Sequence, residues 1–147
     1  MMREVHIAVG VLAIALNGAA GLYGAFRWWR GERTVWFWRL LRAGQAALVL
    51  EAALGGIWEL AGHKSPGLHV VYGLLPLAVS FIAEQLRVAS AQMVLDARGF
   101  SSAAEVGELP ADEQRRVVTA IVQRELGVMA LAALVVVVLL ARAAGTA

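Results

Sequence analysis

The 147-residue sequence contains no cysteine. Disulfides, iron–sulfur clusters and thiolate metal sites are therefore excluded, because each of them requires cysteine sulfur. Charged residues are also scarce, at 16% of the chain, and a net charge of +2 gives no reason to expect a nucleic-acid partner. By contrast, 60% of the residues are apolar and the mean hydropathy is +0.68. This composition predicts a polytopic membrane protein with a single domain.

Four apolar stretches are long enough to cross a bilayer as α-helices, since about 20 residues at a rise of ~1.5 Å each cover the hydrocarbon core. We therefore expect an all-α fold, a bundle of four transmembrane helices within one membrane domain. The expected spans are residues 4–26, 40–61, 69–88 and 126–143. Residues 89–125 should form cytoplasmic helical extensions of the third and fourth spans. Their amphipathic part is expected either to pack against the third helix or to lie on the membrane surface.

Arginine and tryptophan positions predict how the bundle is oriented. The link at residues 26–42 is rich in both, and arginine in short loops marks the cytoplasmic side while tryptophan favours the interface. In this arrangement the basic residues left outside are Arg3, Lys64 and Arg142. We expect both termini outside, in the plasma (inner) membrane of a bacterium, with the lipid bilayer as the principal partner.

Polar residues inside the spans are costly in a membrane and are therefore candidates for function. Asn17 is expected to form an interhelical hydrogen bond. Glu51 lies midway along the second span, with Gln45 nearby, and should face the bundle interior as a proton relay or as a structural hydrogen-bonding group. Glu84 is expected to pair with Arg87, one turn further along the third span.

The fourth span has no polar residue in its interior. Four consecutive valines, at residues 135–138, predict a face that contacts lipid or another subunit. A subunit contact would make the chain a non-catalytic part of a larger respiratory or other membrane complex, or one half of a homodimer.

Two histidines carry the most specific pattern in the chain. His6 opens the first span and His69 opens the third, and each is followed four residues later by a glycine, Gly10 or Gly73. Both helices enter from the outer face, so the imidazoles should lie at the same depth. Two imidazoles saturate a haem iron and favour electron transfer, and a glycine one turn below each would clear space for the macrocycle. The pattern predicts a bound haem, with His63 in the outer loop as the alternative partner for His69.

These residues resemble one four-helix half of the haem A synthase family, over about residues 4–90. The resemblance lies in the opening histidine of the first span, in Arg42, Gln45 and Leu-Gly-Gly at 54–56, and in Leu-His-x-x-Tyr-Gly at 68–73. It implies a haem-binding pair at His6 and His69, with Tyr72 among the cofactor-binding residues. The family has two such halves, and its catalytic half carries a Glu-x-x-His element that is not found here. We therefore expect a haem b carrier or a scaffold that is not an enzyme by itself.

Two other functions remain open at this point. Glu51, together with Glu84, would suit a small proton-coupled transporter, which would need a dimer because four helices enclose little volume. The three histidines would alternatively form a metal site.

Overall fold

The computed structural model describes residues 2–147, and within that range the chain is helical with no β-strand. The helices are α1 (Met2–Trp29), α2 (Val35–Leu60), α3 (Gly67–Ala97), α4 (Ala103–Gly107) and α5 (Ala111–Ala144). In this part of the chain, α1, α2, α3 and α5 are each long and apolar enough to cross a membrane. The expectation of an all-α protein with four helices that are long and apolar enough to span a membrane is therefore confirmed.

The helices are longer than the expected spans. α3 continues beyond residue 88 to Ala97, and α5 joins the amphipathic stretch and the fourth span in one helix of 34 residues. Pro110 immediately precedes α5, where its missing N–H costs no helical hydrogen bond. The expected helical extensions over residues 89–125 are interrupted, because the short helix α4 lies between α3 and α5.

The long helices alternate in direction, because short links with a glycine at positive φ connect most of them. Gly62 (φ 89°) follows α2, and Gly99 (φ 77°) follows α3. As a result, α1 and α3 begin at the same end of the bundle, where α2 and α5 finish. We call this the histidine end, after His6 and His69, and we call the opposite end, which holds the link at residues 26–42, the arginine end.

The four long helices are not packed equally. α5 packs extensively on both α1 and α3, and α1 packs extensively on α2, whereas α2 and α3 touch over only a few residues. The short link between α2 and α3 predicts close antiparallel neighbours, but the structure holds α3 mainly through α5. Consequently, α1 and α3 face each other across the diagonal of the bundle.

The valine run of α5 lies partly in the core, which corrects part of the expectation for it. Val136 is only 1% exposed and packs with Ala13 of α1 and with Ala47 of α2. Only part of the run faces outwards, since Val138 is 67% exposed and Val135 39% exposed. In a membrane protein, apolar side chains suit both lipid and a helix interface, so composition alone did not distinguish the two faces.

The amphipathic part of α5 packs against the end of α3. Val117 is buried together with Leu95 of α3 and Val106 of α4, and Phe100 and Ile121 pack against this small cluster. Of the two arrangements left open by the sequence, the structure therefore shows the one in which this segment covers the extension of α3.

Candidate functional site

His6 and His69 lie close together at the histidine end. Each belongs to the first turns of its helix, α1 or α3, and these helices begin on the same side of the bundle. The centroids of the two imidazole rings are 6.0 Å apart, and the ring planes make an angle of 64°. Two side chains that are far apart in sequence are thus brought together across the diagonal.

A cavity of about 610 Å³ surrounds the two histidines, and all four long helices contribute to its walls. Ligand and cofactor sites in proteins commonly enclose about 300–1,000 Å³. The polar groups on its walls include His6, His69 and Glu51, and Lys64 and Arg3 lie at its rim. The cavity therefore combines a few converging polar groups with walls that are otherwise largely apolar.

The Nδ1 atom of His69 has a defined partner. It lies 2.9 Å from the carbonyl oxygen of Ala143 in α5. Because a carbonyl oxygen can only accept, Nδ1 must carry the proton and donate it, which leaves a lone pair on Nε2. Histidines that bind metals commonly make this contact, because it fixes both the tautomer and the orientation of the ring.

The Nδ1 atom of His6 faces a carboxylate. It lies 3.3 Å from Oε1 of Glu51, although the two are not aligned as a hydrogen bond. Within residues 2–147, the Nε2 atom of neither His6 nor His69 is hydrogen-bonded to another protein group. Both imidazoles therefore have an oxygen atom beside Nδ1 and an Nε2 atom without a hydrogen bond to the described residues.

The glycines at the site have different surroundings. A β-carbon at Gly10 would lie 2.8 Å from Oε1 of Glu51, so the space beside Gly10 is taken by that carboxylate and not left for a ligand. At Gly73 and Gly56, no described atom lies within 4 Å of the β-carbon position, and both residues line the cavity. At Gly55 the nearest atom is Cε1 of His6, at 3.6 Å. The open walls therefore come from α2 and α3.

Tyr72 and His63 lie outside this cavity. Tyr72 precedes Gly73 by one residue, which turns it about 100° around the helix, and its ring lies 5.8 Å from the guanidinium carbon of Arg142. His63 follows the turn at the end of α2 and stacks on Trp58, with ring centroids 4.0 Å apart. Neither side chain extends into the space shared by the other two histidines.

Asn17 does not form the expected interhelical hydrogen bond. Its side chain is 1% exposed, and its Nδ2 donates to the carbonyl oxygen of Ala13, 2.8 Å away in the same helix. The amide packs against Gly44 of α2, where a β-carbon would lie 2.9 Å from Nδ2. Because Gly44 has no side chain, it makes room for Asn17 but offers it no side-chain acceptor.

Glu84 is the centre of a polar network between α2 and α3, which we call the Glu84 network. Its carboxylate accepts hydrogen bonds from Arg42, from Gln45 (3.0 Å) and from Arg87 (2.9 Å). The pairing of Glu84 with Arg87 agrees with expectation. Arg42 of α2 binds the same carboxylate, which joins the two helices away from the histidine cavity.

No site for a bare metal ion is formed by the described residues, since they contain no group of three or more histidine, aspartate or glutamate side chains placed to hold one. The three-histidine metal site is therefore not assembled, because His63 stacks on Trp58. A haem differs in its requirement, because the porphyrin itself supplies four nitrogen ligands and the protein needs to supply only two.

The chain matches no protein-family model, no curated protein and no solved structure. Inference about its function therefore depends on the residues of the site.

Proposed function

We propose that this protein is a small integral membrane protein that binds haem b and transfers electrons, with His6 and His69 as the axial ligands. The observation that carries the proposal is the separation of the two imidazoles across one cavity. Two imidazoles that line one cavity at a short separation would both be available to hold one haem iron. The observed separation is 6.0 Å.

The surroundings of the histidines support the same assignment. The Ala143 carbonyl holds His69 in the tautomer that leaves Nε2 free, and the carboxylate of Glu51 lies beside Nδ1 of His6. Gly56 and Gly73 leave flat, open walls beside the rings. Lys64 and Arg3 at the rim would attract carboxylate groups of a bound ligand, in competition with Glu59, which also lines the cavity.

Haem would supply a centre that gains and loses one electron. His6 and His69 would hold the haem and would leave no free position on its iron for oxygen or a substrate. The apolar cavity walls would limit the access of water to the centre. These roles describe an electron carrier, and the resemblance of residues 4–90 to one half of the haem A synthase family belongs to the same proposal.

The proposed orientation places the histidine end at the outer face of a bacterial plasma membrane. The concentration of arginine at the opposite end supports it, because arginine-rich short loops remain in the cytoplasm. Both termini would then lie outside, and the part of α5 that covers the end of α3 would lie in the cytoplasm.

An absorption spectrum of the purified protein tests the proposal, with haemin added to any protein that is isolated without it. We expect a low-spin b-type spectrum that is lost in His6→Ala and in His69→Ala. His63→Ala is the matched control and should retain the spectrum, because His63 lies outside the cavity. A wild-type protein that stays colourless, and that co-purifies in fixed ratio with other proteins, would instead identify a non-catalytic subunit of a larger complex.

One observation favours a second candidate, a small proton-coupled transporter. The carboxylate of Glu51 lines the cavity, and its Oε2 is buried without a hydrogen-bond partner among residues 2–147. Glu84, in contrast, is bound into its own network away from the cavity. In this case Glu51→Gln should abolish proton-coupled flux into vesicles while Glu84→Gln, in a protein that still folds, should preserve it.

A further inference from the structure

The seams between the long helices around the histidine cavity are not packed equally. α1 packs extensively on α2 and α5, and α3 packs extensively on α5, so three of the four seams around the bundle have extensive helix contacts. The remaining seam lies between α2 and α3, which touch over only a few residues. Because these helices are long and apolar enough to cross a membrane, that seam would face the lipid when the protein spans a bilayer.

The side-chain hydrogen bonds between α2 and α3 lie in the arginine half of this seam. There, the Glu84 network joins α3 to α2 through Arg42 and Gln45. At mid-height, Leu77 of α3 packs against the core cluster that contains Leu48 of α2. These contacts form a floor beneath the cavity.

The histidine half of the seam is bordered by residues without side chains. Gly55 and Gly56 of α2 and Gly73 of α3 line the cavity, and at Gly56 and Gly73 no described atom lies within 4 Å of the β-carbon position. Leu74, which follows Gly73 and also lines the cavity, is 52% exposed. The cavity is therefore continuous with the lipid-facing surface at this level.

We propose that the histidine half of the α2–α3 seam is a lateral portal, through which the cavity takes up a flat, mainly apolar amphiphile with an anionic end directly from the bilayer. The apolar walls suit the body of such a ligand, and Lys64 and Arg3 at the aqueous rim suit its anionic end. This inference rests on the proposed function, because it takes the histidine cavity as the ligand site. Haem is itself a flat, mainly apolar amphiphile with an anionic end.

Leucine substitutions at the two open glycines test the portal. Gly56→Leu and Gly73→Leu would fill the seam without meeting a described neighbour at the β-carbon. Leu74→Trp narrows the seam from an exposed position and replaces no glycine. Ala15→Leu, at an exposed position of α1 that does not line the cavity, is the control.

Photolabelling from the lipid phase gives a measurement that does not depend on haem. The protein is reconstituted into phosphatidylcholine and phosphatidylglycerol vesicles that contain a fatty acid with a terminal diazirine, and labelled residues are identified by mass spectrometry. We expect label on Glu51 in the wild type and in Ala15→Leu, and several-fold less in the three seam variants. Equal labelling of Glu51 in all proteins, or none in the wild type, overturns the portal.

Haemin transfer from donor vesicles, followed by absorbance, separates this inference from the proposed function. If the seam variants take up haemin several-fold more slowly than the wild type, both are supported. If all variants take it up at the same rate, the portal is wrong and the haem site stands. If the wild type binds no haemin but Glu51 is labelled only when the seam is open, the haem assignment is wrong and the portal stands.

Discussion

The close approach of α1 to α2 and α5 at Gly24 makes a quantitative prediction about stability. A β-carbon at Gly24 would lie 2.5 Å from Cε2 of Phe37 and 2.9 Å from Cβ of Ala130. Carbon atoms in contact are normally about 3.5–4.0 Å apart. Phe37 is wholly buried within the core cluster, so its ring has no free volume to move into. Gly24→Ala therefore requires a shift of the helices themselves.

The magnitude follows from comparison with Gly18, where an added β-carbon would meet only Cγ2 of Val137, at an ordinary 3.8 Å. Both alanine variants carry the same intrinsic gain in helix propensity, about 1 kcal/mol. Overpacking at Gly24 costs about 1–3 kcal/mol, and the large displacement that is required favours the upper part of that range. We expect Gly24→Ala to be less stable than Gly18→Ala by about 2–3 kcal/mol.

Reversible unfolding by sodium dodecyl sulfate in mixed micelles, followed by circular dichroism, measures this difference. Gly18→Ala should unfold at the wild-type concentration or above it, and Gly24→Ala well below it. Equal midpoints for the two variants would refute the close packing of α1, α2 and α5 on which the described fold depends.

Two further predictions concern helix packing and use the same unfolding assay. Glu84→Gln removes the carboxylate that accepts hydrogen bonds from Arg42 and Arg87, and should lower the free energy of unfolding by about 1–2 kcal/mol. Glu108→Gln, at an exposed position, is the control and should leave the free energy of unfolding unchanged. Equal stability of the two variants would mean that the Glu84 network does not hold α3 to α2. Val136→Ala should lower the free energy of unfolding by about 1–2 kcal/mol because the side chain is buried in the core, while Val138→Ala should leave it nearly unchanged. The opposite order of stability would mean that Val138, and not Val136, lies in the core.

The number of spanning helices and the meeting of the two histidines were accessible from the sequence for a simple reason. Apolar runs of sufficient length cross a membrane, and helices joined by short links alternate in direction. The first and third helices therefore start on the same side. His6 and His69, each near the beginning of its helix, were placed at one end of the bundle before any packing was known.

The order of the helices around the bundle cannot be predicted from the sequence. Most differences between the expected and the observed side-chain contacts follow from that order. Hydropathy does not distinguish a side chain in lipid from one in a helix interface, so it does not predict that Val136 is buried. The space beside Gly10 is filled by Glu51 only because α1 and α2 pack in one particular register. Arg42 could be assigned to Glu84 only once α2 and α3 were known to meet at the arginine half.

Electron paramagnetic resonance of the oxidised, haem-loaded protein tests the central claim most directly. Haem iron held by two imidazoles would give a low-spin signal, whereas loss of one of them would give a high-spin signal. We predict the low-spin signal in the wild type and in His63→Ala, and its loss in His69→Ala. A high-spin signal in the wild type, or a low-spin signal that survives removal of His69, would contradict axial ligation by His6 and His69.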